Sequence, residues 1–508
     1  MSVARYALIV SMRDLSDSTL AQTYYSVSEV RSLDRAAIDE FRVSGYELMT
    51  RAAKSVLNVA RERYPSASRW EILCGGGNNG GDGYVLARLA AAEDIDVRVI
   101  ALTQPDLLSG DAGRAYRDFV AAGGSAGTWT GSLAEDRDLL IDALLGSGLE
   151  RDVGGDFATS VAAMNRHAAP VIALDIPTGL HGDTGTVMGC AARADVTVTF
   201  VGRKVGLVVG DGPVLAGSVH FFDLGIPEAC YQRVAGVLRG LGPAARASLL
   251  PPRPREAHKN SFGHVLVVGG GLGMPGAVIL AGTAALRAGA GLVNVATRDS
   301  HTQSVVGARP ELMSLGVNDP DSAAALLEAA DVIVLGPGLG QDAWAEALFE
   351  LVLDSGKPMV LDADALNLLA RSERQGGDWV LTPHPGEAAR LLGIAPAEIQ
   401  ASRLEALEAL QARYGGTVVL KGAGTLTHSG DGLPWICNRG NPGMASPGMG
   451  DALTGIVAAL RAQGLNAEAA AALGVEIHAH AGDCASRGGE RGLLASDLIE
   501  EIRACVNP

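Results

Sequence analysis

Asn78, Asn79 and Asp82 lie within CGGGNNGGDG, residues 74–83, between an apolar run, WEIL, and a helical pattern, YVLARLAAAE. The glycines let backbone N–H groups approach a ligand closely, and the next helix offers its positive end to an anion. Short oxygen-bearing side chains in a glycine nest suit a monovalent or hard divalent cation, or ribose hydroxyls. No GK[ST] follows, so this is not a P-loop, and the spacing is not the dinucleotide fingerprint. Asp142 closes the run LLI and opens Ala-Leu-Leu-Gly146-Ser147-Gly148; Asp175 closes VIAL and opens Ile-Pro-Thr178-Gly179. Singly, each aspartate is accounted for as a helix cap. Three loops of one design, on one rim of one sheet, point instead to a shared site.

A second constellation lies in the C-terminal half. Gly448-Met449-Gly450-Asp451 opens the amphipathic helix ALTGIVAAL. Backbone amides at that helix start face a transferring phosphoryl group and offset its charge. Asp451 stands where it can take a proton from an attacking hydroxyl. Other loops follow strand-like runs in the same half: Lys421-Gly-Ala-Gly-Thr425 after TVVL, suited to a nucleotide's phosphates or ribose, and TPHPGE (382–387) after WVL. GPGLG (336–340) follows VIVL, and DADALN (362–367) follows MV. The segment Glu476–Cys484 carries His478 and His480. Two apart on a helix, they point about 200° from one another, and no zinc site is expected from that pair.

The elements that must hold these residues read as alternating strands and helices. Two helices open the N-terminal half: SVSEVRSLDRAAIDEFRV, capped by Ser28, and YELMTRAAKSVLNVARERY, stopped at Pro65. Then WEILC, DVRVIAL, LLIDALL, PVIALDI, DVTVTF and VHFFDL read as strands, interleaved with helical segments. The pattern predicts a mostly parallel sheet covered on both faces. Residues 241–261, LGPAARASLLPPRPREAHKNS, hold Pro243, Pro251, Pro252 and Pro254 and predict an extended linker. Alternation then restarts with HVLVVGG, LVNVAT, DVIVLGPG, PMVLDAD, WVLTP and TVVLKG. The expected architecture is α/β with two domains, 1–240 and 241–508. The first is a Rossmann-like three-layer sandwich.

Composition agrees with this and excludes some functions. At 508 residues, 47% hydrophobic and 19% charged, the chain is globular and too long for a single core. A net charge of −16 repels phosphodiester backbones, so no nucleic-acid partner is expected, though a local nest of amides still accepts a small anion. The six cysteines, Cys74, Cys190, Cys230, Cys437, Cys484 and Cys505, form no CxxC pair. Neither a disulfide framework nor a thiolate zinc site is expected, and a reducing cytoplasm is. The N-terminal patch YALIV is too short for a secretory signal, and no segment is long enough to span a bilayer.

NNGGDG, DALLGSG and DIPTG, in that order after a helix containing Leu-Met, resemble the NAD(P)H-hydrate epimerase domain over roughly residues 26–230. The resemblance implies substrate contacts from Asn78, Asn79, Gly80, Gly81 and Asp82. It extends them to Gly146, Ser147, Gly148, Leu149, Glu150, Arg151, Asp152 and Asp175. It implies a potassium ion held by Asn79, Asp142 and Thr178. DIPTG has Thr where Ser is common, which keeps the hydroxyl, and MTRAA stands where a glycine often ends the helix motif.

KNSFGHVLVVGG, DADALN, TPHPGE, KGAGT and the GxGD segment resemble the ribokinase-like NAD(P)H-hydrate dehydratase domain over roughly residues 250–505. Sugar kinases share GxGD but generally lack TPHPGE and DADALN. The resemblance implies substrate contacts from Ala277, Gly338, His384 and Asp451. It implies adenine-nucleotide contacts from Lys421, Gly422, Ala423, Gly424, Thr425 and Gly450. Met449 stands where many related kinases have Thr, leaving the backbone hole intact.

Together the two resemblances imply repair of NADHX and NADPHX, the hydrates of NADH and NADPH. One domain would epimerise R and S forms. The other would dehydrate the S form with ADP, or ATP, and Mg²⁺, phosphorylating the C6 hydroxyl and eliminating phosphate. The epimerase acid–base group would be Asp142 or Asp175, although a potassium ligand is a poor base. A homo-oligomer is the expected assembly. Two other readings stand: a small-molecule kinase of ribokinase type fused to a non-catalytic dinucleotide-binding domain, and a non-enzymatic dinucleotide sensor.

Overall fold

The computed structural model describes residues 22–507 apart from 373. The patch YALIV and the aspartates that follow it lie outside the described residues. The chain divides into two compact units between Leu238 and Arg239.

In the N-terminal unit, β1 (Thr23–Tyr25) leads into α1 (Val27–Asp39) and α2 (Gly45–Arg63). The cap of α1 is Ser26, not Ser28: Ser26 Oγ accepts from Glu29 N at 3.2 Å, and Glu29 Oε2 accepts from Ser26 N at 3.0 Å. A glutamate three residues after the serine closes this reciprocal box, worth about 1 kcal/mol, and Ser28 has no such partner in sequence. Gly45 is the first residue of α2, capped by Ser44. Strands β2 (Arg69–Cys74), β3 (Asp96–Ala101), β4 (Ala126–Thr128), β5 (Leu139–Ala143), β6 (Val171–Leu174) and β7 (Val196–Phe200) follow. Short β8 (Arg203–Lys204) pairs with β1, and β9 (Ser218–Phe222) completes the main sheet. Its order is β4-β3-β2-β5-β6-β7-β9, parallel throughout.

Alternation along the strands makes the layers. Ile72, Ile141 and Ile172 join the core shared with α1, α2 and α3 (Asn78–Ala91). Their neighbours Leu73, Leu140 and Ala173 join the core on the other face, with Val161 and Met164 of α5 (Gly155–Met164), the helix that follows α4 (Gly110–Ala121). Successive side chains on a strand point to opposite faces, so two separate cores require helices on both sides.

The C-terminal unit begins in the last residues of β10 (Leu238–Gly240), whose Arg239 and Gly240 run parallel to Trp435 and Ile436. The expected linker is not extended throughout. Pro243–Leu249 is a helix with Gly242 as cap and Pro243 at its first position, and Leu249 and Leu250 pack on this unit's core. Proline at a helix start loses no hydrogen bond, and the Ala-Ala-Arg-Ala run that follows favours helix. Strands β11 (His264–Val268), β12 (Leu292–Thr297), β13 (Met313–Gly316), β14 (Val332–Leu335), β15 (Met359–Leu361), β16 (Trp379–Leu381) and β17 (Thr417–Leu420) are parallel. Antiparallel β18 (Thr425–His428) and β19 (Trp435–Cys437) extend one edge. The order is β13-β12-β11-β14-β15-β16-β17-β18-β19. Helices α6 (Pro275–Arg287), α7 (Asp364–Leu369), α8 (Pro385–Leu392), α9 (Met449–Ala462), α10 (Ala467–Ala485) and α11 (Ala495–Cys505) matter below. Among the described residues no helix is long and apolar enough to cross a membrane.

Candidate active sites

Strands β2, β5 and β6 are neighbours, so their carboxyl ends share one rim, where open α/β sheets bind ligands. A cavity of about 900 Å³ opens there. Its lining includes Asn78, Asn79, Asp82, Gly146 to Arg151 and Asp175, together with Asp34 and Lys204. NNGGDG is not a loop. It is the first turn of α3, with Gly77 as N-cap. Most of its glycines serve packing. A Cβ at Gly75 would stand 1.8 Å from the Leu144 carbonyl oxygen, and one at Gly80 2.1 Å from that of Gly75. A Cβ at Gly81 would meet Met49 at 2.6 Å. Only Gly77, with open space beside it, leaves room for something other than protein. Gly80, Gly81 and Asp152 are absent from the cavity lining.

Asp142 is fully buried. It accepts from the Thr178 amide at 2.8 Å, the Thr178 hydroxyl at 2.7 Å and the Leu144 amide at 3.2 Å. Burial nevertheless pushes its carboxyl above the usual range, the Thr178 bonds pulling the other way. Asn79 is 8% exposed, and neither its Oδ1 nor its Nδ2 has a hydrogen-bond partner. An orphaned buried amide is costly unless a ligand or ion completes it. Its Oδ1 is an unused acceptor near the position of Gly146, where a Cβ would lie 3.7 Å away.

Asp175 has φ 66°, a left-handed conformation that costs a non-glycine residue about 1–3 kcal/mol. The contact that accompanies it is an ion pair with Lys204, a residue only 1% exposed. Lys204 also donates to the Phe200 carbonyl at 2.9 Å and to Thr199 Oγ1 at 3.2 Å. Asp82 has its carboxyl pushed well above the usual range by burial, then by Asp175 and Asp34, with Lys204 opposing. Asp34 is raised to about 6, first by burial, with Lys204 lowering and Asp175 raising it. Three carboxyl groups of the cavity lining thus feel one ammonium, which pairs directly with Asp175.

In the C-terminal unit, the loops after β14, β15, β16 and β17 again share a rim, because those strands are consecutive in the sheet. Lys421 Nζ lies 2.7 Å from Asp362 Oδ1 and 3.8 Å from Glu387 Oε2. Asp362 Oδ2 accepts from Thr454 Oγ1 of α9 at 3.0 Å. A Cβ at Gly450 would meet Asp362 Oδ2 at 3.1 Å and Lys421 Nζ at 3.3 Å, so GxGD abuts this pair. Gly448 caps α9 at φ 89° and has no side chain to cover the first-turn amides. Asp451, in that turn, has its carboxyl raised to about 7 by burial and then by Asp362, with Lys421 opposing. Met449 is buried in the core.

A Cβ at Gly338 would lie 3.1 Å from the Cβ of Ala277, so those two expected contacts are adjacent. His384 caps α8, accepting from Gly386 N at 3.0 Å through Nδ1, and its side chain is 55% exposed. Gly422 (φ 139°) and Gly424 (φ 66°) bend the KGAGT loop. Arg403, buried, donates to the Leu420, Lys421 and Gly424 carbonyls at 3.1–3.3 Å and braces that loop.

Two family models match the chain: the NAD(P)H-hydrate dehydratase model over residues 265–504 and the YjeF-related N-terminus model over residues 45–206. The bifunctional NAD(P)H-hydrate repair enzyme Nnr of Coxiella burnetii is 46% identical over 95% of this chain and 99% of its own length. The chain belongs to the bifunctional NAD(P)H-hydrate repair enzyme family. The Nnr of Escherichia coli is 42% identical over 96% of this chain and 95% of its own. Among solved structures, the ADP/ATP-dependent NAD(P)H-hydrate dehydratase of Bacillus subtilis, co-crystallised with ATP and Mg²⁺, is 30% identical. It covers 54% of this chain and 98% of its own at a TM-score of 0.49.

As a member of this repair family, the chain holds residues at its candidate sites that sequence reasoning passed over. Lys204 follows the strand DVTVTF just as the aspartates follow theirs, a signal of the same kind. Asp362 was visible within DADALN, but its partner Lys421 lies far away in sequence. Asp34 and Arg403 carry no local signal; only the fold brings them in.

Proposed function

We propose that this chain repairs hydrated nicotinamide dinucleotides, epimerising R and S forms in the N-terminal unit and dehydrating the S form in the C-terminal unit with ADP or ATP. The observation that carries the dehydratase half is Asp451. It combines a carboxyl near neutrality, an uncapped helix start and a neighbouring Lys421–Asp362 pair. Asp451 takes the proton of the C6 hydroxyl, and the first-turn amides face the phosphoryl group as it passes from the nucleotide to that oxygen. Hydroxide leaves poorly; phosphate leaves well, and its departure with a C5 proton restores the C5=C6 bond. The KGAGT loop, braced by Arg403, holds the nucleotide. Asp362 and Glu387, flanking Lys421, are oxygen donors of the kind Mg²⁺ takes, and that ion would shield the phosphates.

In the epimerase half, C6 bears both the hydroxyl and the ring nitrogen. Asp82, held protonated, gives its proton to the departing hydroxyl, leaving a C6=N1 iminium. Asp175, paired with Lys204, then takes a proton from water adding to the opposite face. Asn79, Asp142 and Thr178 suit a potassium ion, since the Asn79 amide lacks a partner and the buried Asp142 carboxylate lacks a cation. A bound potassium ion would fix the rim loops and compensate that charge; Asp142 is then spoken for, leaving Asp175 as the base. The reading also includes a homo-oligomer, and a reducing cytoplasm with which six free cysteines agree.

The test is purified full chain with mixed hydrate epimers and ADP, ATP or no nucleotide. Return of dihydronicotinamide absorbance with stoichiometric phosphate, consuming both epimers, is the expected result. A stable phosphorylated product marks an ordinary kinase and overturns the reading.

A further inference from the structure

The six cysteines are scattered in sequence, yet the fold brings two of them beside a histidine. His480 and Cys484 lie one turn apart on one face of α10, and Cys505 ends α11, which packs against it. One donor atom from each of the three lies within 4.8 Å of the others. We propose that His480, Cys484 and Cys505 form a binding site for a soft d¹⁰ metal ion, Zn²⁺ foremost, that ties α10 to α11. None of the three belongs to either candidate active site.

The donor set is the first argument. Two thiols and an imidazole are ligands that Zn²⁺ takes, and no hard-cation site is built this way. Distance is the second. Bonds of about 2.3 Å to sulfur and about 2.0 Å to nitrogen at tetrahedral angles place donors about 3.5–3.8 Å apart. Starting from no more than 4.8 Å, each donor moves by less than about 1 Å, within side-chain reach. Access is the third. Cys505 is 5% exposed and anchors the site, whereas His480 and Cys484 are partly open and admit an ion with water as fourth ligand.

Charge balance is the fourth argument. Two thiolates and one Zn²⁺ together carry no net charge. Arg439 Nη1 donates to His480 Nδ1 at 3.5 Å, a long contact that a metal bound at that nitrogen replaces. The charged groups facing the trio are Arg246 of helix Pro243–Leu249, Arg439, Glu476 and Asp483, with Arg487 donating to Cys484 Sγ at 3.5 Å and Glu501 of α11. A bound site without net charge gives those arginines nothing to oppose.

The experiment uses full-length chain, reduced and stripped of metal, dialysed against Zn²⁺ and, separately, Co²⁺. Expected are about one ion per chain, a thiolate-to-cobalt charge-transfer band, and an apparent affinity that rises about 100-fold per pH unit below the thiol pKa, as two-proton release requires. The double variant Cys484→Ser, Cys505→Ser loses the band and weakens Zn²⁺ uptake at least 100-fold; His480→Gln weakens it less; Cys190→Ser, in the other unit, changes nothing. Should the double variant not fold, the unsubstituted chain decides alone: absence of the cobalt band overturns the proposal. So does Zn²⁺ uptake that is independent of pH, or a reduced Cys484–Cys505 pair that binds no ion.

Discussion

Asp451→Asn separates two consequences of one buried carboxyl. As the base, Asp451 works ionised, and its carboxyl titrates at about 7. Dehydration should therefore rise with pH through about 7, reaching at pH 6 only about a tenth of its plateau. Asparagine cannot accept the proton, so turnover should fall about 10²–10⁴-fold, the usual range for a general base. Stability moves the opposite way. The folded carboxyl is raised from 3.8 to about 7, so the native state binds a proton that the unfolded state releases. Stability is then lost as pH climbs from about 4 to about 7, up to a ceiling on the order of 4 kcal/mol. Asparagine is neutral at every pH and escapes that penalty, so at pH 8 the variant should be more stable, by about 1–4 kcal/mol. Steady-state kinetics from pH 5.5 to 8.5 and urea unfolding at pH 5 and 8 read both. A variant with full turnover, or one that is inactive and also less stable at pH 8, refutes the assignment.

Other outcomes follow from neighbouring geometry. Asp82→Asn should slow epimerisation about 10²–10⁴-fold while leaving dehydration of pure S hydrate intact, measured by chiral separation of the two hydrates. Thr178→Val removes a donor to Asp142 and a proposed potassium ligand; the rise of epimerisation rate with KCl should flatten, and an unchanged salt response counts against the site. Arg403→Met leaves the Leu420, Lys421 and Gly424 carbonyls unpaired at a cost of about 1.5–3 kcal/mol, and should raise KM for nucleotide about 10–100-fold with a smaller change in kcat. Gly448→Ala forces a Cβ to within 2.5 Å of Leu280 at φ 89°, and should destabilise by about 1–3 kcal/mol and lower Tm.

The strand runs legible in sequence are strands in the structure because buried parallel strands are unbroken apolar stretches, as in WEIL, VIAL and TVVL. Antiparallel β18 and β19 escaped notice because TLTH and WIC are short and mixed in character. Site aspartates were visible wherever they ended such a run. The meaning of the glycines was not: Gly75, Gly80 and Gly81 are dictated by contacts with Leu144, Gly75 and Met49, and only coordinates reveal those neighbours. Long-range partners were equally hidden. Lys204 and Asp175 are 29 residues apart, and Lys421 and Asp362 are 59 apart, so no local pattern joins them. Cys484 and Cys505 likewise meet only because α10 and α11 pack together.

The central claim is that the C6 hydroxyl leaves as phosphate after Asp451-assisted phosphoryl transfer. It is tested most directly by forming the S hydrate in ¹⁸O-water, so that its C6 oxygen is labelled, and running one turnover with nucleotide in ordinary water on the Asp82→Asn variant, whose slowed epimerase does not exchange that oxygen with solvent. The account predicts one ¹⁸O atom in each inorganic phosphate released. Unlabelled phosphate, with the ¹⁸O recovered in water, would contradict it.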